Sequence, residues 1–252
     1  VWGFGLNSIM RVAVIAALLL IRAAPRPVEK TDAHWREQLA AGFRYAYGFL
    51  PTRSALLLVS AVSFSVQPYQ SLAPYFARDV FHGTSETLGY LIGAGGFGAV
   101  SGMVYLAMKP SVRGLLSMVP IAAAAAGAAL IVFSFSSSLW LALPMLFLVG
   151  MGAMLCAAAT NTVLQTIVED RMRARVVSIY MMSFLGITPL GALFAGMLAE
   201  SLGPPLTLCL GGVLFEIHAE PLAQGGLARP DPAGYQNPLP LFGIDQGAED
   251  DR

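Results

Sequence analysis

Six apolar stretches, each about as long as a bilayer is thick, follow one another along this chain with only short polar breaks between most of them. They cover residues 1–21, 54–76, 88–108, 115–135, 139–168 and 176–198. A helix rises about 1.5 Å per residue and the hydrocarbon layer is about 30 Å deep, so about 20 apolar residues cross it. Lipid offers no hydrogen bonds, so each crossing segment must satisfy its own backbone, which selects helices. The expected fold class is therefore all-α: a polytopic membrane helix bundle of about six transmembrane helices. A seventh apolar run, residues 206–215, has about half the length needed.

Charge supports this reading. Only 12% of the residues are charged, against about 25% in a soluble domain. The formal net charge is zero, so no overall basic field points to nucleic acid.

The bases fall on alternate loops. Arg22, Arg26, Lys30, Arg36, Arg44 and Arg53 lie between the first two segments, Lys109 and Arg113 between the third and fourth, and Arg171, Arg173 and Arg175 between the fifth and sixth. The intervening loops hold almost none. By the positive-inside rule the basic loops are cytoplasmic, which predicts a multi-pass protein of the cell inner (plasma) membrane.

The long first loop carries Pro25 and Pro27 and reads as extended linker. Thr31 is placed to cap a short helix with Trp35, Leu39, Phe43 and Tyr47 on one face. Such a helix suits either the membrane surface or a groove on the bundle. The domain layout expected is a transmembrane helix at 1–21, a cytoplasmic loop with this helix at 22–53, a transmembrane bundle at 54–215, and a disordered tail at 216–252. Glu216, His218 and Glu220 end the last apolar run, and Pro, Gly and Asp dominate thereafter. A charge in mid-span costs about 2.5–3.5 kcal/mol on insertion scales, so a normal last span is not expected. Arg11, inside the first segment, is anomalous for the same reason. The opening at Val1, with no basic run ahead of it, is unlike a signal peptide and reads as a chain that starts partway through a longer protein.

Gly93, Gly95 and Gly98 spell G-x-G-x-x-G, but inside a span rather than between a strand and a helix, so they are not a dinucleotide site. Gly89, Gly93, Gly98 and Gly102 instead contain two G-x-x-x-G pairs, and Gly191 and Gly196 repeat the small-residue pattern in the sixth segment; both suit close helix packing. Pro144 and Pro189 are expected to bend their helices. Ser63, Ser65, Gln67, Tyr69, Gln70 and Ser71 make the outer end of the second segment polar. Such groups face a wet path or bond to neighbouring helices, and the sequence leaves both open. Thr160, Asn161 and Gln165 pose the same choice near the inner end of the fifth segment.

No catalytic motif is present, and His34, His82 and His218 all fall in loops or the tail. Cys156 and Cys209 lie in apolar stretches and read as buried small hydrophobes. No cofactor or metal is implied, and no enzyme activity. No carboxylate is visible inside another span.

Residues 71–102 (SLAPYFARDVFHGTSETLGYLIGAGGFGAVSG) and 161–212 (NTVLQTIVEDRMRARVVSIYMMSFLGITPLGALFAGMLAESLGPPLTLCLGG) resemble the major facilitator superfamily, nearest its enterobactin-exporter-like efflux branch. That family has twelve helices in two halves. The resemblance implies that residues 1–21 are the sixth helix and the later segments the seventh to eleventh, with a truncated twelfth. Asp170 to Arg175 resemble the basic turn between helices ten and eleven, and Lys109, Arg113 and Gly114 a worn copy of that between eight and nine. In the family, helices seven and ten face the cavity, which marks Gln67, Tyr69, Gln70 and Asn161 as substrate-path candidates. The expected function is export of a small molecule by alternating access, coupled to protons, with membrane lipid and either a missing N-terminal half or a second copy as partners. The alternative is a transport-inactive half-bundle, a gene fragment or an interaction and anchor module. A channel would need a ring of like charge in a span, which is absent.

Overall fold

The computed structural model of the chain describes Ser8, Arg11, Val12, Ile15, Ala16 and residues 35–221, other than Gln67 and residues 109–111. It divides into two units, Val1–Trp35 and Arg36–Arg252. In the first, the five described residues before Trp35, Arg11 among them, are helical and exposed. Most of the expected first span, the linker with Thr31, Gln67, Lys109 and the tail beyond residue 221 lie outside the described residues.

The second unit is built of helices α1 (Trp35–Gly48), α2 (Leu50–Ser65), α3 (Tyr69–Tyr75), α4 (Ser85–Ala107), α5 (Val112–Ser134), α6 (Leu139–Ile167), α7 (Asp170–Leu202) and α8 (Pro204–Pro221). No strand occurs among the described residues. α4, α6 and the Met172–Leu202 part of α7 are long and apolar enough to cross a membrane. A fourth crossing counts if Ala40–Gly48 and Leu50–Val80 are taken as one bent span. α5 and α8 carry shorter apolar stretches, Met118–Ser134 and Pro204–Ile217.

Local chemistry sets the breaks. Pro51 stands in the first turn of α2, where a missing N–H costs nothing. Pro68 then divides the second apolar segment: α2 stops at Ser65, and α3 restarts with Pro68 as its cap. Pro74 follows inside α3, and the chain widens into one π-helical turn, Phe76–Val80, closed by Phe81 N–H donating to Phe76 O at 2.9 Å. Thr84 caps α4 by accepting from the Glu86 N–H at 3.3 Å. Gly203, at φ 85°, makes the tight joint between α7 and α8. Pro120, Pro144 and Pro189 lie inside helices that continue past them, because one lost backbone bond does not end a long apolar helix whose neighbours hold it.

The helices pack as a closed ring, α2–α6–α5–α8, with α4 laid on α6 and α7 laid on α2. Leu58, Val62, Leu130, Leu146 and Leu164 are fully buried in the core, and Phe76 meets Phe133 with ring centroids 4.8 Å apart. Glycine sets the closest seams. A β-carbon on Gly98 would run into the Phe147 carbonyl, and one on Gly150 into the Gly95 carbonyl, so α4 and α6 touch backbone to backbone. Gly102 faces the Met151 carbonyl in the same seam, and Gly191 brings α7 to within 2.7 Å of Phe64 O on α2 by the same measure. By contrast, β-carbons on Gly89, Gly93 and Gly196 would meet nothing within 4 Å among the described residues. Half of the small-residue pattern thus works within this bundle, and the other half lies on open faces.

The outward surfaces are apolar. Ile121, Leu185, Leu193 and Met197 are all more than half exposed, a pattern that suits lipid rather than water. α8 runs on past Phe215 to Pro221, so the start of the stretch expected to be tail is helical. Glu216 is thereby carried on a helix packed along α5 whose apolar stretch, Pro204–Ile217, is shorter than the crossing helices, in keeping with the expectation that the chain has no normal last span.

Candidate functional site

A cavity of about 220 Å³ lies among α2, α3, α4, α6 and α7. Tyr69 and Gln70 line it from the first turn of α3, just past the interruption of the helix at Pro68. Val62 lines it from α2, Ala99 from α4, Met154 from α6 and Phe184 from α7. The surface is mainly apolar, with the Tyr69 phenol and Gln70 amide as its polar side chains.

Tyr69 is buried and its ring leans on Gly95; a β-carbon there would collide with the phenol oxygen. The Gln70 side chain is exposed at the cavity and shares a hydrogen bond with Tyr69. Behind the wall, Tyr180 donates to the Ala157 carbonyl at 2.7 Å, tying α7 to α6 next to the cavity. Cys156 is buried beside it, its thiol 3.6 Å from Val119 O.

Hydroxyls elsewhere in the bundle are satisfied on their own helices: those of Ser60, Ser101, Thr162, Ser178 and Thr188 each donate to the carbonyl four residues back. Among the described residues four buried side-chain oxygens are not satisfied, those of Thr52, Ser63, Thr160 and Asn161. An orphaned buried polar atom costs about 1–3 kcal/mol, which makes these positions notable. Thr160 and Asn161 sit one turn beyond Ala157 toward the basic end of α6, outside the cavity lining.

Glu216 occupies a separate niche. Its Cγ lies 2.5 Å from where a β-carbon on Gly127 would be, so the glycine provides the room for the carboxyl arm. The facing part of α5, Met118–Ser134, carries no charge. Counting from Ser134 on α5 and from Pro204 on α8 puts the carboxyl about 10–18 Å below that end of the bundle.

Residues 1–225 match the family model of the transmembrane secretion effectors, a family of the major facilitator type. The chain belongs to this family. Comparison with curated proteins and with solved structures returned no match. For a transmembrane secretion effector, membership points to a membrane transporter rather than an enzyme. Among the described residues no group of His, Cys, Asp or Glu is placed to hold a metal ion.

Of the residues marked from the sequence, Tyr69 and Gln70 come together in the cavity, Asn161 stands apart from it, and Gln67 lies outside the described residues. Arg113 lies in the first turn of α5 and Arg171, Arg173 and Arg175 in the first turns of α7, at the same end of the bundle as the start of α2. Gly95, Ala99, Met154 and Phe184 carry no polar signal and could be found only from the packing.

Proposed function

We propose that this transmembrane secretion effector exports a small, largely apolar molecule by alternating access, with the cavity at Tyr69 and Gln70 as one wall of its path. The single observation behind this is a mostly apolar hollow carrying two convergent polar side chains at a broken helix, a usual construction for transporter sites. Its volume, about 220 Å³, is below the roughly 300–1,000 Å³ of a complete small-molecule site. A second bundle, the other half of the fold or a second copy, would complete it. Thr160 and Asn161 lie one turn beyond this lining, toward the cytoplasmic end of α6.

Coupling to protons needs an ionisable group at membrane depth. Glu216, in its uncharged seam with Gly127, is our candidate. The basic loops face the cytoplasm of the inner (plasma) membrane, and the enterobactin-exporter-like branch, to which residues 71–102 and 161–212 point, suggests siderophore-like or drug-like cargo. The test is efflux from cells carrying this chain with its complementary bundle. Gln67→Ala combined with Gln70→Ala should lower efflux without lowering insertion; unchanged efflux removes both residues from the path.

One observation favours a second reading, a bundle that transports nothing by itself. Among the described residues, nothing lies within 4 Å of where a β-carbon on Gly89, Gly93, Gly96, Gly186 or Gly196 would stand on α4 and α7. Uptake by vesicles containing this chain alone separates the two: accumulation above a lipid-only control would rule out inertness.

A further inference from the structure

α1 ends at Gly48, and α2 begins two residues later at about a right angle: the axes of Ala40–Gly48 and Leu50–Val80 differ by 98°. A helix perpendicular to a crossing helix lies parallel to the membrane plane. Its level is set by Arg53, which is exposed in the first turn of α2 and needs the headgroup layer or water.

The faces of α1 divide sharply. Gly42 and Ala46 are buried, and a β-carbon on Gly42 would stand 3.4 Å from both Arg175 Cβ and Ile179 Cδ1 of α7, so this face rests on the bundle. Phe43 and Tyr47 point elsewhere. They are 40% and 58% exposed, with rings stacked at 6.5 Å and 16°. Leu50, just past the bend, is 50% exposed. Arg44 follows Phe43 around the helix by about 100° and is also exposed.

We propose that α1 is an interfacial anchor whose Phe43–Tyr47 face inserts at the headgroup–acyl boundary while Arg44 contacts headgroups or water. The occupant of this face is lipid rather than protein, because a helix in the membrane plane beside a crossing helix already has lipid for a neighbour. Two stacked rings, one bearing a hydroxyl, match the mixed polarity of that layer. Arg44 and Arg53 add attraction for anionic headgroups. This inference depends on membrane embedding and stands whether or not the chain transports.

The experiment uses the full chain with Cys156→Ala and Cys209→Ala, reconstituted in liposomes of zwitterionic and anionic phospholipid. Nitroxide labels are placed singly at Phe43→Cys, Arg44→Cys and Tyr47→Cys. At 43 and 47, collisions with dissolved oxygen should exceed those with a water-soluble nickel chelate, and at 44 the order should reverse. Equal, nickel-rich exposure at all three positions would overturn the proposal, as would shielding of 43 and 47 from both reagents, the mark of a protein partner or second copy. Should a label disturb the bundle, aqueous maleimide in native membrane vesicles makes the same comparison: it should react several-fold faster at Arg44→Cys than at Phe43→Cys, and equal rates would again overturn it.

Discussion

The phenol oxygen of Tyr69 stands where a side chain on Gly95 would have to be. One residue thus shapes another across the α3–α4 seam, and the cavity depends on the pair. Gly95→Ala should push Tyr69 from its place, at about 1–3 kcal/mol by analogy with other overpacked sites. Gly96→Ala, whose β-carbon meets nothing within 4 Å, should leave thermal unfolding in detergent unchanged. Equal melting of the two variants would contradict the geometry.

The α4–α6 seam gives a second contrast. Gly98→Ala and Gly150→Ala each set a β-carbon against a backbone carbonyl, which only a shift of the helices can relieve. Both should unfold at lower temperature than the parent chain. Gly89→Ala and Gly93→Ala should be neutral in the chain alone but weaken assembly with a complementary bundle, as read by co-purification. Destabilisation of the lone chain by Gly93→Ala would show that its notch is already filled.

Tyr180→Phe removes the bond to Ala157 O and little else. A typical net loss is about 0.5–1.5 kcal/mol. The change frees α7 beside the cavity, so efflux by the complete assembly should fall more than stability does. Efflux and melting temperature are measured together; full efflux with lowered melting would make Tyr180 a purely structural tie.

Glu216→Gln keeps the shape beside Gly127 and removes the exchangeable proton. If proton movement passes through this carboxyl, accumulation driven by a pH gradient in inverted vesicles should be lost while insertion is retained or improved, since charge at membrane depth costs about 2.5–3.5 kcal/mol. Gradient-driven accumulation equal to that of the parent chain would remove Glu216 from the coupling.

Topology has a direct check. Single cysteines replacing Arg113, at the start of α5, and Ser137, in the loop after it, should react with impermeant thiol reagents from opposite sides of sealed vesicles. Reaction of both from one side would refute the multi-pass arrangement.

What the sequence by itself determined was the existence of the helices and most of their ends. Length and apolarity mark residues 88–108, 115–135, 139–168 and 176–198, and α4 to α7 follow them closely, because a backbone in lipid has no option but to close its hydrogen bonds locally. The alternating basic loops were equally plain. The tertiary structure decided the faces. Lipid-facing and core-facing side chains are alike apolar, so periodicity does not tell Gly98, pressed on Phe147, from Gly93, open to its surroundings. Nor does it show that Pro68 breaks a span where Pro144 and Pro189 do not, since that depends on which neighbours hold the chain on either side. Glu216 reads as the start of a tail until Gly127, on another helix, makes room for it. Water would have written burial into the pattern of polar and apolar residues; a membrane leaves it to contact.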